Sequence, residues 1–259
     1  MISRISTLHR SGIKLKKSMN TYPDNINPAA YSIISDHFLL RNDLGTDKLP
    51  QSLTFLEFGC STGALGASLM SSNRNIAWYG IDYNEYSLSI ASKRLTKTFY
   101  IDLNNITGLR LNMLDIDPDL LILVDVLEHV YEPNNFMSVI RESYPRSSIL
   151  CVLPNISCYQ TYERLSMHEF DYEDHGIFDK THKTFYTAAS AIKQFALFGY
   201  KLSTGPLFLP DPVTHSLLQA EISYPYVFVS DRFSVKVDSR DHLLSLCSYG
   251  FGCLFDPTL

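Results

Sequence analysis

The sequence predicts an α/β fold: a doubly wound, mostly parallel β-sheet with helices on both faces and an antiparallel strand at one edge. Short apolar runs alternate with helical stretches along the chain, which is typical of parallel sheets buried on both faces. A glycine-rich turn at residues 59–66 joins the first apolar run to a helix. Acidic residues follow several of the runs, at the edge where such sheets bind ligands.

The predicted elements follow in order along the chain. Pro28 suits the first turn of a helix over residues 27–40, where apolar residues recur at helical spacing. A strand that begins at Gly199 and a final strand within residues 247–255 close the sheet, and the final strand pairs antiparallel at its edge. The remaining strands are predicted at 52–58, 76–81, 98–101, 120–124 and 148–153, and the remaining helices at 84–95, 133–143 and 188–198.

Length and composition fit a single soluble domain, which we place at residues 24–259. The chain has 259 residues, of which 45% are apolar, and a formal net charge of -5. A chain of this length can bury a sizeable core without disulfides. The mild negative charge gives no general attraction to nucleic acid. No apolar run approaches the roughly 20 residues of a membrane-spanning helix, so we expect no transmembrane segment.

Cysteine usage predicts reduced thiols and a cytoplasmic location. An odd number of cysteines without a Cys-x-x-Cys pair is not typical of a disulfide framework. The five cysteines lie at positions 60, 151, 158, 247 and 253.

The first 23 residues are basic, contain no acid and include several serines. Such a segment is consistent with a disordered tail, with a targeting peptide, or with translation that starts at Met19. The sequence leaves these three alternatives open.

The stretch from Leu56 to Gly66 has the pattern of a Rossmann-like nucleotide-binding βαβ unit, because an apolar strand runs into a glycine-rich turn that opens a helix. Asp82 ends the next strand, 23 residues past Gly59. Glu57 stands where a pyrophosphate would meet a second negative charge. The expected ligand is therefore free of phosphate and partly cationic, which suits S-adenosylmethionine better than a dinucleotide.

Three motifs in the same order resemble class I S-adenosylmethionine-dependent methyltransferases over roughly residues 50–205. They are the acidic and glycine-rich loop at 57–63, the strand end at 80–82, and Asp-Val-Leu-Glu-His at 125–129. Ser61 replaces the usual middle glycine of the loop, a change that keeps the residue small. The resemblance implies these cofactor-binding residues: Glu57, Gly59, Ser61, Thr62, Gly63, Asp82, Asp102 and Asp125.

A narrower resemblance links the segments 154–155, 170–172 and 176–187 to bacterial methyltransferases of cell-surface polysaccharide synthesis. It implies O-methylation of a saccharide hydroxyl. Two alternatives stay open: a phenolic or quinone-precursor hydroxyl as acceptor, and a catalytically silent methyltransferase-like scaffold. The expected partner is a small-molecule or saccharide acceptor, and the sequence leaves a homodimer open.

Two acids are candidates for holding the nucleoside. Asp82 can accept hydrogen bonds from both ribose hydroxyls. Asp102 matches the family position that reads the adenine amino group, although a turn aspartate that bonds local backbone N–H groups has the same pattern. Asp115 competes for this role, but the spacing to the fourth strand favours Asp102.

The segment 125–129 predicts a half-site for a divalent metal ion. If a helix begins at the end of the fourth strand, Asp125, Glu128 and His129 lie on one face, and such oxygen and nitrogen ligands suit a divalent ion. His182 is the fourth candidate ligand, since similar sets occur in small-RNA and quinone-biosynthesis O-methyltransferases.

The alternative to a metal is that Glu128 stabilises a helix N-terminus while His129 packs nearby. Without metal, His129 or His182 is the predicted general base.

Residues 155–187 are expected to form the acceptor wall, because aromatic and acidic residues alternate there without a clear period. An ordinary packed lid has a similar composition. Residues 205–245 fit no motif, and we treat them as a second insertion for the acceptor or for a dimer. The predicted wall aromatics are Tyr159, Tyr162, Phe170, Tyr172, Phe185 and Tyr186.

Overall fold

The computed structural model describes residues 26–39, 52–72 and 75–258. The basic N-terminal segment, with Met19, lies outside the described residues, and so does the last residue of the helix predicted at 27–40.

A seven-stranded sheet organises the described chain. Its order is β3-β2-β1-β4-β5-β9-β6, and β7 and β8 form a separate antiparallel hairpin. The pairings from β3 to β5 are parallel, whereas β9 runs antiparallel between β5 and β6. The predicted fold class is confirmed. The strands are β1 Leu53–Phe58, β2 Ile76–Asp82, β3 Lys97–Tyr100, β4 Leu120–Val124, β5 Ser148–Pro154, β6 Tyr200–Pro210, β7 Tyr226–Val229, β8 Ser234–Val237 and β9 Ser248–Pro257.

Helices cover both faces of the sheet. The first one starts at Pro28, as predicted, and a π-helical turn at Ser35–Leu39 extends it. The helix Tyr159–Ser166 was not predicted, because its sequence was interpreted as part of a loop-rich insertion. The helices are α1 Pro28–Ile34, α2 Ala64–Ser72, α3 Glu85–Ala91, α4 Gly108–Asn112, α5 Pro133–Ser143, α6 Tyr159–Ser166, α7 Ala188–Leu197, α8 His215–Gln219 and α9 Arg240–Leu246.

Two hydrophobic cores lie on opposite faces of the sheet. Successive side chains of a strand point to opposite faces, so Leu56 and Phe58 enter one core while Phe55 enters the other. Phe55 packs edge-on against Trp78, with ring centroids 5.3 Å apart. Because the strands are buried on both faces, the positions of their ends are fixed. The carboxyl ends of the parallel strands form the edge at which such sheets bind ligands, which we call the ligand edge.

Residues 205–245 contain a small third core. Phe228, Val237, Leu218 and Leu243 pack around Tyr159 of α6. Residues 205–245, which matched no motif in the sequence, therefore form a packed unit that contacts α6. Within the described residues, every helix is too short or too polar to cross a lipid bilayer.

Gly66 of α2 makes room for Trp78. A Cβ on Gly66 would lie 2.7 Å from Trp78 Nε1 and 2.6 Å from Leu95 Cδ2. We expect Gly66→Ala to destabilise the fold by about 1–3 kcal/mol, which exceeds the gain of about 1 kcal/mol in helix propensity. Thermal melting measures this, with Ser71→Ala on the exposed side of the same helix as control. A Gly66→Ala variant as stable as the wild type would contradict the packing described here.

Candidate active site

The turn after β1 follows a backbone path that favours glycine. Gly59, Ser61 and Gly63 have φ values of 69°, 47° and 74°. A Cβ on Gly59 would also lie 2.6 Å from Val126 Cγ2. Ser61 therefore occupies a left-handed position at a cost of about 1 kcal/mol, and the structure keeps the small residue that the sequence suggested.

Asp82 ties this turn to the end of β2. Its Oδ2 accepts the Ser61 N–H at 2.8 Å, and its Oδ1 accepts the Asn84 N–H at 2.8 Å. The Asp82 side chain is buried. Each carboxylate oxygen keeps further acceptor capacity, so the group is oriented before any ligand arrives.

A cavity of about 510 Å³ opens above the strand ends. Five of the eight predicted cofactor residues line it, and Glu57, Thr62 and Gly63 lie outside its lining. Those that line it are Gly59, Ser61, Asp82, Asp102 and Asp125, together with Tyr83, Asn84, Ser87, Leu103, Asn104, Val126, His129, Val130, Tyr131, Thr181 and Lys183.

Glu57 lies beneath the turn, where its Oε2 accepts the indole N–H of Trp78 at 2.8 Å. Burial raises the pKa of Glu57 to about 8, with a smaller contribution from Asp82, and the bond from Trp78 opposes the rise. The carboxyl is therefore mostly protonated at neutral pH. The sequence argument that Glu57 would repel a pyrophosphate as a fixed charge is not supported.

The structure is compatible with both interpretations of Asp102 that the sequence left open, a turn residue and a residue of the cofactor site. It caps the 3₁₀ turn Leu103–Asn105, accepting the Asn104 N–H at 3.0 Å and the Asn105 amide at 2.8 Å. It also lines the cavity and a shallower groove of about 940 Å³ against β3. Asp115, the competing candidate, is exposed, has a φ of 52° and lines neither.

The fourth strand does not lead directly into an α-helix. Asp125 has a φ of 52°, and the chain then forms the 3₁₀ turn Leu127–His129. Asp125 keeps exposed surface, and partial desolvation by the surrounding protein raises its pKa to about 6, while the Asn27 side chain and the nearby His182 oppose the rise. The condition that a helix begins at Asp125 is therefore not met, because the positive φ redirects the chain.

Three of the four predicted metal ligands come together. One ligand atom from each of Glu128, His129 and His182 lies within 4.8 Å of the others, and Asp125 falls outside this group. The two imidazole centroids are 4.9 Å apart. Ligand atoms about 2 Å from a common ion lie at most about 4 Å apart, so the three side chains are close to a metal-binding arrangement and would move slightly together around an ion.

Both imidazoles form their hydrogen bonds through Nδ1. His182 Nδ1 lies 3.0 Å from the Ile177 carbonyl oxygen, and His129 Nδ1 lies 3.1 Å from Thr181 Oγ1 and 3.4 Å from the Thr181 carbonyl. A carbonyl only accepts, so each Nδ1 is the donor. In a neutral imidazole whose Nδ1 donates, Nε2 keeps its lone pair, which is the arrangement of histidines that bind metals.

Glu128 is almost fully buried, and neither of its carboxylate oxygens has a hydrogen-bond partner within the described residues. Burial, and then the nearby Asp125, raises the pKa of Glu128 well above its usual range. A buried carboxylate without partners needs a proton or a cation. Burial and the neighbouring His182 lower the pKa of His129, which keeps that imidazole neutral.

Backbone hydrogen bonds hold the downstream histidine in place. The Glu128 carbonyl accepts the N–H groups of Lys183, at 2.7 Å, and Thr184, at 3.2 Å. Asp179 Oδ1 accepts both the N–H and the hydroxyl of Thr181. The segment around His182 is thus fixed against the turn that carries Glu128 and His129.

Three residues at the site were missed from the sequence. The Asn27 side chain caps α1 and acts to lower the pKa of Asp125, Lys183 lines the cavity, and Tyr249 is the second residue of β9, at the ligand edge. Burial raises the pKa of Tyr249, and Asp125 is the next cause. The Asn-Pro pair signalled a cap, but nothing in the sequence placed that cap over Asp125.

The predicted acceptor wall divides into two parts. Tyr159 and Tyr186 are buried core residues, so that part of the prediction is wrong: each fills a hydrophobic cluster. Phe170 and Tyr172 are exposed and surround Phe185, with centroids 5.9 and 6.4 Å from it. Phe185 in turn lies 6.2 Å from the His182 ring. An aromatic surface therefore adjoins the histidine group.

Residues 56–144 match the family model described as a methyltransferase domain. The matched segment runs from the glycine-rich turn through α5 and includes Asp82, Asp102, Glu128 and His129. The comparison with curated proteins gives no match.

Solved structures share the fold at low sequence identity. The plantazolicin methyltransferase BpumL, in complex with a pentazolic desmethylPZN analog and SAH, is 12% identical with a TM-score of 0.53, covering 90% of this chain and 86% of that one. The methyltransferase domain of bacterial CtHen1-C is 15% identical with a TM-score of 0.50, covering 89% and 95%.

The buried Glu57 generates a pH prediction. Its pKa of about 8 in the folded chain exceeds the ordinary 4.5, so its stabilising contribution is present below pH 4.5 and is lost as pH rises through 8. Glu57→Gln stays neutral and can still accept from Trp78. We expect the melting temperature of the wild type to fall more steeply between pH 5 and 8 than that of Glu57→Gln, followed by Trp78 fluorescence. Parallel pH profiles would contradict the raised pKa.

Proposed function

We propose, from the premise that this chain is an S-adenosylmethionine-dependent methyltransferase, that it methylates a hydroxyl group and that the acceptor is a saccharide. The observation that carries the proposal is the group of Glu128, His129 and His182 beside the cavity that Gly59 and Asp82 line. A group of this kind can activate a hydroxyl, whereas transfer to a more nucleophilic atom needs no such help.

The cofactor would lie across the strand ends. Asp82 would bond the ribose hydroxyls and Asp102 the adenine amino group, while Gly59 and Ser61 would adjoin the amino-acid end. Asp125 would then face the sulfonium region, where a carboxylate favours a cation. This arrangement points the methyl group toward His129, which lines the same cavity.

The reaction is an in-line displacement. The acceptor oxygen forms a bond to the methyl carbon as the carbon–sulfur bond breaks and its electron pair returns to sulfur. Alignment of the three atoms supplies most of the acceleration. The hydroxyl proton passes to a free Nε2 of His129 or His182, and the lowered pKa of His129 keeps its imidazole available as a base at neutral pH.

The same three side chains fit a divalent metal ion. Glu128 has two unpartnered buried oxygens, and both histidines have Nδ1 committed to the backbone or Thr181, so that Nε2 is free. Glu128, His129 and His182 would hold the ion. When bound, it would lower the pKa of the acceptor hydroxyl.

The aromatic surface of Phe170, Tyr172 and Phe185 supports a ring-shaped acceptor. Its exposed faces adjoin His182, and the C–H faces of a sugar ring pack on such surfaces. The carboxylates of the same segment, Glu169, Asp171 and Glu173, can accept sugar hydroxyls. A phenolic acceptor would use the same faces without those carboxylates, and a comparison of sugars with phenols decides between them.

We expect Asp82→Ala to weaken the binding of S-adenosylhomocysteine by about tenfold to a hundredfold, since a buried charged acceptor of several hydrogen bonds is lost. Calorimetry measures the affinity. Glu85→Ala, an exposed acid at the start of α3, is the matched control and should bind normally. Unchanged affinity in Asp82→Ala would exclude the proposed ribose contact.

The activating group is tested by methyl transfer from tritiated cofactor to a panel of sugars, nucleotide sugars and phenols, with and without chelator. We expect His129→Ala and His182→Ala to lose about a hundredfold or more in kcat, a typical general-base contribution. His175→Ala, in an exposed loop, should stay near the wild type.

The chelator separates the two roles of this group. If chelator abolishes the activity of the wild type and added Mn²⁺ restores it, while Mn²⁺ does not restore activity in Glu128→Gln, the group binds a metal ion. If the activity does not respond to chelator but is abolished by His129→Ala, the general-base role is kept and the metal role is excluded. If Glu128→Ala and His129→Ala both turn over normally, neither role survives.

A further inference from the structure

Lys183 lines the cavity, and its backbone is anchored beside it. Its backbone N–H donates to the Glu128 carbonyl at 2.7 Å, and its ammonium lies 5.0 Å from the Tyr131 ring centroid. Tyr131 is itself held, since its N–H donates to Asn104 Oδ1 at 2.9 Å. The ammonium therefore lies between the loop expected to hold adenine and the group that contains His129.

The charge of Lys183 is unlike that of its surroundings. Among the described residues that line the cavity, it is the one lysine or arginine, and three aspartates line the same space. No carboxylate of the described chain lies within 4.0 Å of its ammonium. Lys180, three residues earlier, pairs with Asp174 at 2.6 Å instead.

An unpaired ammonium beside this cavity disfavours the binding of a positively charged cofactor. Coulomb repulsion from a sulfonium in the same space would lower cofactor affinity. An anionic group on the second substrate reverses the balance, because it is attracted by both cations. Stacking on Tyr131 keeps the ammonium in place for that contact.

We infer that Lys183 selects an acceptor that carries an anionic group, phosphoryl or carboxyl, near the hydroxyl that is methylated. The inference rests on the proposed function, and it limits the proposed acceptors to hydroxyl compounds that also carry an anionic group. Lys183 contacts the acceptor and takes no part in bond making. Thr181 lines the cavity beside it, but its hydroxyl already donates to Asp179 and contacts His129, so the ammonium of Lys183 is the group that meets the anion.

The test compares a neutral acceptor with its charged counterparts: glucose, glucose 6-phosphate and glucuronic acid. The wild type should favour one or both charged forms in kcat/KM, and Lys183→Met should lose about tenfold of that preference. Lys183→Arg should keep most of it. Lys180→Met, with the same change of charge in the same loop, should behave as wild type. The phosphate and carboxylate arms show which anion is preferred.

A binding measurement tests the inference even if no panel member is methylated. Inorganic phosphate and acetate are titrated into chelator-treated protein saturated with S-adenosylhomocysteine, with thermal melting as the check on folding. The wild type should bind at least one of the two ions about tenfold more tightly than Lys183→Met.

Two results would overturn the inference. One is equal binding of both ions by the wild type and Lys183→Met. The other is a tenfold loss of S-adenosylhomocysteine affinity in Lys183→Met, which would assign the ammonium to the carboxylate of the cofactor. Absence of methyl transfer to every hydroxyl acceptor would instead count against the proposed function, since the binding arm does not depend on turnover.

Discussion

The hydrogen bonds of the Asp82 carboxylate are the interaction on which the cofactor region depends. One oxygen accepts the N–H of Ser61 in the glycine-rich turn, and the other accepts the N–H of Asn84 at the start of α3. The turn and the second βα connection are thereby held at a fixed separation. A carboxylate that is already oriented has little conformational freedom to lose when a nucleoside binds, which favours affinity.

A second constraint assembles the reactive group from two distant segments. The Glu128 carbonyl binds the backbone of Lys183 and Thr184, and this contact brings His182 beside His129. The arrangement leaves the Glu128 carboxylate buried and without a partner among the described residues. Such a group is stable only as a neutral acid or beside a cation. The same group of side chains can therefore act as a general base or bind a metal ion.

Local sequence signals predicted the scaffold well. The apolar runs gave strand ends within one or two residues for β1 to β5, and Pro28 marked the start of α1. The signals failed where tertiary contacts override local preference. Tyr159 and Tyr186 were assigned to a binding wall, but they are core residues, because composition does not distinguish an aromatic that binds from one that packs. Helix α6 was missed because its apolar face is completed only by residues 205–245.

The sequence by itself determined the βαβ unit, the glycine-rich turn and the acids at the carboxyl ends of the strands, because periodicity and turn chemistry act over a few neighbouring residues. Only the tertiary structure decided that Glu57 faces Trp78, that Asp125 is not part of the group of Glu128, His129 and His182, and that both Nδ1 atoms are committed as donors. The Glu57 contact with Trp78 and the His129 contact with Thr181 join residues 21 and 52 positions apart, and such long-range contacts are not encoded in any local pattern.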